Sequence, residues 1–278
     1  MVWEIWNEPN GGWFWKPQPN PDDYAQLALA VNRAVHSAAP EELVVGPALS
    51  GTNLAFVEVA ARAGVLKDWA GITIHPYLRG GPEHYVPAYG QTRGLIEQYA
   101  GGRPVQVLCG ESGYSSAWEA VDEATQGQYL ARLFLLDVMA GVPLTIWYDW
   151  HDDGADPKDP EHHFGMVQNE YFEKRDTIYD PKPAYHAAQT YARELAGFRF
   201  HERKILASGD DFVLSFTGRQ SECLVAWTAG GPHEVTIPAA SGIYAVTAFD
   251  GTSAAGVRAD GDGLKLTLDG GPKYLKRK

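Results

Sequence analysis

Val2-Trp3-Glu4-Ile5-Trp6-Asn7-Glu8-Pro9-Asn10 is the stretch on which the reading of this chain turns. Branched and aromatic residues over 2–6 predict a buried strand. Asn-Glu-Pro ends it, because proline cannot continue a ladder and restricts the residue before it. Glu8 is thereby left where a strand meets a loop, among apolar and aromatic neighbours. A carboxylate in such a place suits general acid chemistry near neutral pH. The plainer alternative is a glutamate that caps a turn.

After this stretch, Gly11-Gly12-Trp13-Phe14-Trp15 is an aromatic loop. Trp13 and Trp15 either stack on the apolar face of a sugar or pin the loop as a cluster. Asn20-Pro21-Asp22-Asp23 supplies an N-cap, a proline at N1 and acids in the first turn, which predicts a helix over 21–38. Strands over 43–48, 71–77, 104–111 and 143–149 then alternate with helices over 53–63, 89–99, 118–140 and 182–195. Near-continuous apolar strands alternating with helices mean a parallel sheet covered by helices.

Two architectures fit that rhythm, a doubly wound sheet and a TIM barrel of the (β/α)8 type. No glycine-rich nucleotide fingerprint follows the first strand, which speaks against the former. Polar residues instead recur at strand C-terminal ends: Asn7 and Glu8, His75 and Tyr77, Glu111, then Trp147 and Asp149. In a barrel those ends converge on one site. From Phe198 onward, short alternating runs at 212–216, 223–227, 234–237, 244–249 and 264–268 are separated by Gly, Asp and Ser turns. The expected division is a (β/α) barrel region over 1–197 and an antiparallel β-sandwich over 198–278, the latter packing against the helical shell or serving as a carbohydrate-binding module.

Two strand-end glutamates on one parallel sheet meet the requirement of a retaining glycosidase. One protonates the leaving oxygen, and the other, about 5 Å away, attacks the anomeric carbon. Period-two alternation groups Val105, Val107, Cys109 and Glu111, so an inward Cys109 would carry Glu111 inward. Tyr77 could donate to the nucleophile, His75 could orient a carboxylate or a sugar hydroxyl, and Trp147 could floor a subsite. Taken singly, His75 and Trp147 also fit a core. Glu4 shares parity with Glu8 and needs a partner if it faces inward.

Composition narrows the field. The formal net charge of -12 argues against nucleic acid or an anionic membrane as partner. Cys109 and Cys223 give neither a disulfide framework nor a zinc pattern, and Cys109 fits a core. No leader-like or membrane-spanning run is legible, and localisation stays open. His151, Asp152, Asp153, Asp156, Asp159, His162 and His163 crowd one loop without fixed ligand spacing, and a solvated acidic loop is expected there rather than a metal centre. No cofactor is expected.

Trp-Glu-Ile-Trp-Asn-Glu-Pro-Asn over 3–10, His-Pro-Tyr over 75–77, Gly-Glu-Ser-Gly over 110–113 and Ile-Trp-Tyr-Asp-Trp over 146–150 together resemble strands four, six, seven and eight of clan A glycoside hydrolases, families 39 and 5 above all. The resemblance covers most of the chain, since Lys182-Pro183-Ala184-Tyr185 looks like the start of the last barrel helix and a C-terminal sandwich is common in such enzymes. It implies Glu8 as acid/base, Glu111 as nucleophile, Asn7 as partner of the sugar 2-hydroxyl, His75 and Tyr77 beside them, and Trp147 as platform. On this likeness strands one to three are missing, so the barrel is expected to be incomplete, with a second copy of the chain or a rearranged segment over its open side. The expected activity is hydrolysis of β-linked sugars in an oligo- or polysaccharide or a small β-glycoside. A weakly active or inactive chain that binds carbohydrate, or persists only as an oligomer, is the alternative.

Overall fold

The computed structural model describes residues 1–77, 79–219 and 221–278, in two compact units. The first comprises residues 1–112 and 140–147. Its strands β1 (Val2–Glu4), β2 (Leu43–Ser50), β3 (Gly71–His75), β4 (Gln106–Ser112) and β5 (Thr145–Trp147) form one five-stranded parallel sheet in chain order. Helices α1 (Pro21–Ala38), α2 (Ala55–Ala63) and α3 (Val86–Tyr99) connect the first four strands. Consecutive order with helical crossovers makes this a barrel-like sheet, as the strand-helix rhythm implied.

Local chemistry sets these elements. The Asn20 side chain accepts from the amides of Asp22 and Asp23, satisfying two orphan donors at the start of α1. Gly64 ends α2 at φ 101°, a conformation in which a Cβ would clash. Tyr24, Ala25 and Ala28 of α1 join Phe56, Val57 and Ala60 of α2 over Ile5 and over Val44, Ile72, Ile74 and Val107 of the sheet. The buried Tyr24 hydroxyl donates to the Ile5 carbonyl, 3.1 Å away, and so ties α1 to the chain just beyond β1. Among the described residues β1 pairs only with β2, and β5 only with β4. Val2, Trp3, Leu144 and Ile146, in or beside those edge strands, are between 41% and 49% exposed.

The second unit comprises residues 113–139 and 148–278. Helices α4 (Glu123–Met139) and α5 (Pro183–Glu194) pack together, and an antiparallel sheet of eight strands follows. These are β6 (Arg199–Lys204), β7 (Asp211–Thr217), β8 (Glu222–Thr228), β9 (His233–Ile237), β10 (Gly242–Ala248), β11 (Ser253–Ala259), β12 (Leu264–Leu268) and β13 (Lys273–Arg277). Their order is β6-β7-β8-β13-β10-β11-β12-β9, so the last strand enters the middle of the sheet. Val213, Leu224, Ile237, Tyr244, Leu264 and Leu275 bury together in one cluster.

The loop over 148–182 departs from a purely solvated acidic loop. Asp152 is 2% exposed and Lys182 1%, and Lys182 Nζ meets Asp152 Oδ1 at 2.8 Å. The same oxygen accepts from the Gly165 amide. Burial still pushes the Asp152 carboxyl up, against the lowering by Lys182. An ion pair this dry persists because its members are partnered, not because it lies in water.

Candidate active site

All the proposed site residues belong to the first unit. The chain end of β1 is unusual: Trp6 has φ 69° and Glu8 φ 45°, both left-handed and neither glycine. Ala48, near the end of β2, joins them at φ 56°. Each such residue stores on the order of 1–3 kcal/mol, tolerated only where neighbours over-determine it. Here the Glu8 amide donates to the Ala48 carbonyl at 3.0 Å, and the Ala48 amide donates to Thr73 Oγ1 at 2.8 Å. Asn10, which sequence reasoning passed over, clamps the loop by donating to the Ser50 carbonyl at 2.8 Å and accepting from its amide at 2.9 Å. Glu8 is thereby held at the sheet's C-terminal end, with its side chain 16% exposed.

Two strands complete the cluster. His75 closes β3 with its side chain 1% exposed, and its Nδ1 lies 3.1 Å from Glu8 Oε1. Glu111, in β4, is 30% exposed, and its Oε2 lies 4.0 Å from the same Nδ1. The Tyr77 hydroxyl donates to Glu111 Oε1 at 2.8 Å. One oxygen of Glu8, one of Glu111 and a nitrogen of His75 all lie within 4.8 Å of one another. These three are also the group of His and acidic residues, among those described, whose spacing could hold a metal ion.

The route by which Glu111 reaches the cluster differs from simple alternation. Val105, Val107 and Cys109 lie in the cluster beneath α1 to α3, facing away from the site. Gly110 instead lies beside His75 Nε2 and Glu4 Oε1. The register of β4 against β5 shifts between Cys109 and Ser112, and that irregularity turns Glu111 toward Tyr77. Cys109 is a core residue and carries nothing inward.

The remaining candidates vary. Trp147 ends β5 opposite Ser112 and is 8% exposed. Trp15 sets its ring edge-on to Trp6 at 5.5 Å and to the buried Tyr24 at 6.0 Å, which pins the aromatic loop against the core. Trp13 stands 86% exposed. Asn7 is half-buried, between the two left-handed residues Trp6 and Glu8.

With this geometry in hand, comparison with known proteins is informative at the level of structure. No family model matches the chain, and no curated protein matches it. Solved structures do. A family 39 glycoside hydrolase from the gut symbiont Bacteroides cellulosilyticus WH2 is 25% identical with a TM-score of 0.83, over 99% of this chain and 58% of that one. These neighbours are glycoside hydrolases of clan A. A family 51 arabinofuranosidase from Xanthomonas axonopodis pv. citri aligns over 100% of this chain and 66% of its own, at TM-score 0.68 and 11% identity. A monomeric β-xylosidase from Caulobacter crescentus CB15 aligns over 98% and 68%, at TM-score 0.64 and 16% identity. The glycoside hydrolase fold is thus common to all of them, and this chain spans little more than half the length of the family 39 hydrolase.

Proposed function

We propose that this chain carries the two-glutamate site of a retaining glycosidase acting on β-linked sugars. The observation that supports it most is the approach of a Glu8 oxygen and a Glu111 oxygen within 4.8 Å. Retention needs carboxyls about 5–5.5 Å apart, whereas inversion needs about 6.5–9.5 Å to admit a water.

In this reading Tyr77 occupies Glu111 Oε1, leaving Oε2 to attack the anomeric carbon. Glu8 gives its proton to the departing oxygen as the glycosidic bond breaks. A water then attacks the glycosyl-Glu111 ester, yielding its proton to Glu8 and restoring both carboxyls. Asn7 binds the sugar 2-hydroxyl, His75 orients Glu8, and Trp147 and Trp13 offer aromatic faces to the sugar while Trp15 holds the loop. The substrate is an oligo- or polysaccharide or a small β-glycoside.

Among the described residues the parallel sheet has five strands, and in this reading a second copy of the chain covers its edges, burying the apolar residues of β1 and β5. The eight-stranded sheet folds over its own core as a sandwich. The exposed edges favour one further reading, a chain that binds β-linked sugars but turns them over weakly while its open side is uncovered. Hydrolysis of aryl β-xylosides and β-glucosides by wild type, Glu8→Gln and Glu111→Ala, with solution mass on the same samples, separates these. Activity lost in both variants from a dimer supports the glycosidase. Sugar affinity retained by Glu8→Gln without turnover in wild type supports the binder, and a monomeric active species rules out the second copy.

A further inference from the structure

His75 is 1% exposed, yet among the described residues its Nε2 has no hydrogen-bond partner. Its other nitrogen serves Glu8. A buried imidazole N–H without an acceptor is costly, and functional imidazoles are held in place by a group on the far nitrogen. The face of Gly110 shows where that group comes from. A Cβ on Gly110 would stand 2.9 Å from Glu4 Oε1 and 3.3 Å from His75 Nε2, so the missing side chain opens one shared space between them. The two atoms are therefore at most about 6 Å apart. Glu4 is exposed, which leaves its side chain room to change rotamer.

We propose that Glu4 is a positioning residue: its carboxylate accepts the His75 Nε2–H across the face of Gly110 and so keeps Nδ1 aimed at Glu8 and Glu111. This rests on the glycosidase reading for its purpose, but not for its geometry. Glu4, His75 and Glu8 form a line in which a carboxylate outside the reacting pair orients the ring that orients the acid. A methyl group at position 110 would stand 2.9 Å from Glu4 Oε1, so alanine there pushes the Glu4 carboxylate aside.

The test is nitrogen-15 spectroscopy of the imidazole rings, with the His75 signals assigned by their loss in His75→Asn. Wild type and Glu4→Gln, whose amide oxygen still accepts, are expected to show a protonated Nε2. Glu4→Leu removes the acceptor and Gly110→Ala displaces it, and in both the proton is expected to leave Nε2 for Nδ1. On an aryl β-glycoside, Glu4→Leu is expected to lower kcat about ten- to a hundredfold with KM within about twofold, and Glu4→Gln to keep most of the rate. An unprotonated Nε2 in wild type, or ring signals unchanged in both Glu4→Leu and Gly110→Ala, overturns the proposal. A chain inactive on every glycoside but with the expected ring signals upholds the Glu4 contact and counts against the glycosidase reading instead.

Discussion

Two of the clusters of acidic and basic side chains among the described residues differ in how their polar atoms are used. In the second unit, Asp152 and Lys182 are buried almost completely, and Asp152 Oδ1 takes both the ammonium and the Gly165 amide. In the first unit, Glu8 and Glu111 keep 16% and 30% of their side chains exposed around a fully buried His75, and Glu111 Oε2 is not fixed by Tyr77. Strained backbone accompanies the cluster of the first unit, at Trp6, Glu8 and Ala48. A satisfied, dry pair holds a loop together, whereas accessible carboxylate oxygens beside strained backbone fit the proposed reacting pair.

Substitutions tell the two clusters apart. Glu8→Gln should lower turnover of an aryl β-glycoside by about 10²–10⁴-fold while leaving urea unfolding almost unchanged, as fits a general acid that stabilises little. Lys182→Met should do the reverse, costing about 3–5 kcal/mol in urea unfolding because Asp152 is left buried and charged. If Lys182→Met is neutral, the loop is not held by that pair.

Finer tests sharpen the contrast. Tyr77→Phe deletes a hydrogen bond to a carboxylate, about 1.5–3 kcal/mol, and should lower kcat/KM about ten- to a hundredfold. The smallest effect concerns Asp149. Burial first, then Asp153, pushes its carboxyl from 3.8 to about 6. The folded state therefore holds this proton more tightly than the unfolded chain, and stability from this group falls as pH rises from about 4 to 6. Asp149→Asn does not titrate, so its stability relative to wild type should rise by about 1 kcal/mol between pH 4 and 7, allowing for partial solvent screening. Paired urea unfolding at the two pH values checks the sign.

The parallel sheet was legible because its signals are local. Asn20-Pro21 and Gly64 mark helix ends chemically, and β2 to β4 are apolar runs between them. The antiparallel sheet was legible only in part. Arg199–Lys204 is dominated by charged residues, Ser253–Ala259 by small exposed ones, and Lys273–Arg277 carries two buried residues between basic ones, so none shows a clear alternation. Their places come from pairing with distant strands.

At the site, residue types announced Glu8, His75, Tyr77 and Glu111, since polar groups at strand ends stand out against apolar runs. The orientation of Glu111 was not legible, because one irregularity after Cys109 reverses the parity on which alternation depends. Nor was the Asp152 to Lys182 pair, whose members are separated by a long loop and resemble ordinary surface charges. The Asn10 clamp likewise depends on Ser50, forty residues away.

The most direct measurement is intact-protein mass spectrometry after incubation with a 2-deoxy-2-fluoro aryl β-glycoside, which slows hydrolysis of any glycosyl-enzyme ester. One added glycosyl mass is expected on wild type, mapped to the peptide containing Glu111 and absent from Glu111→Ala. A label that persists in Glu111→Ala, or no label on a protein that turns over the parent glycoside, contradicts it.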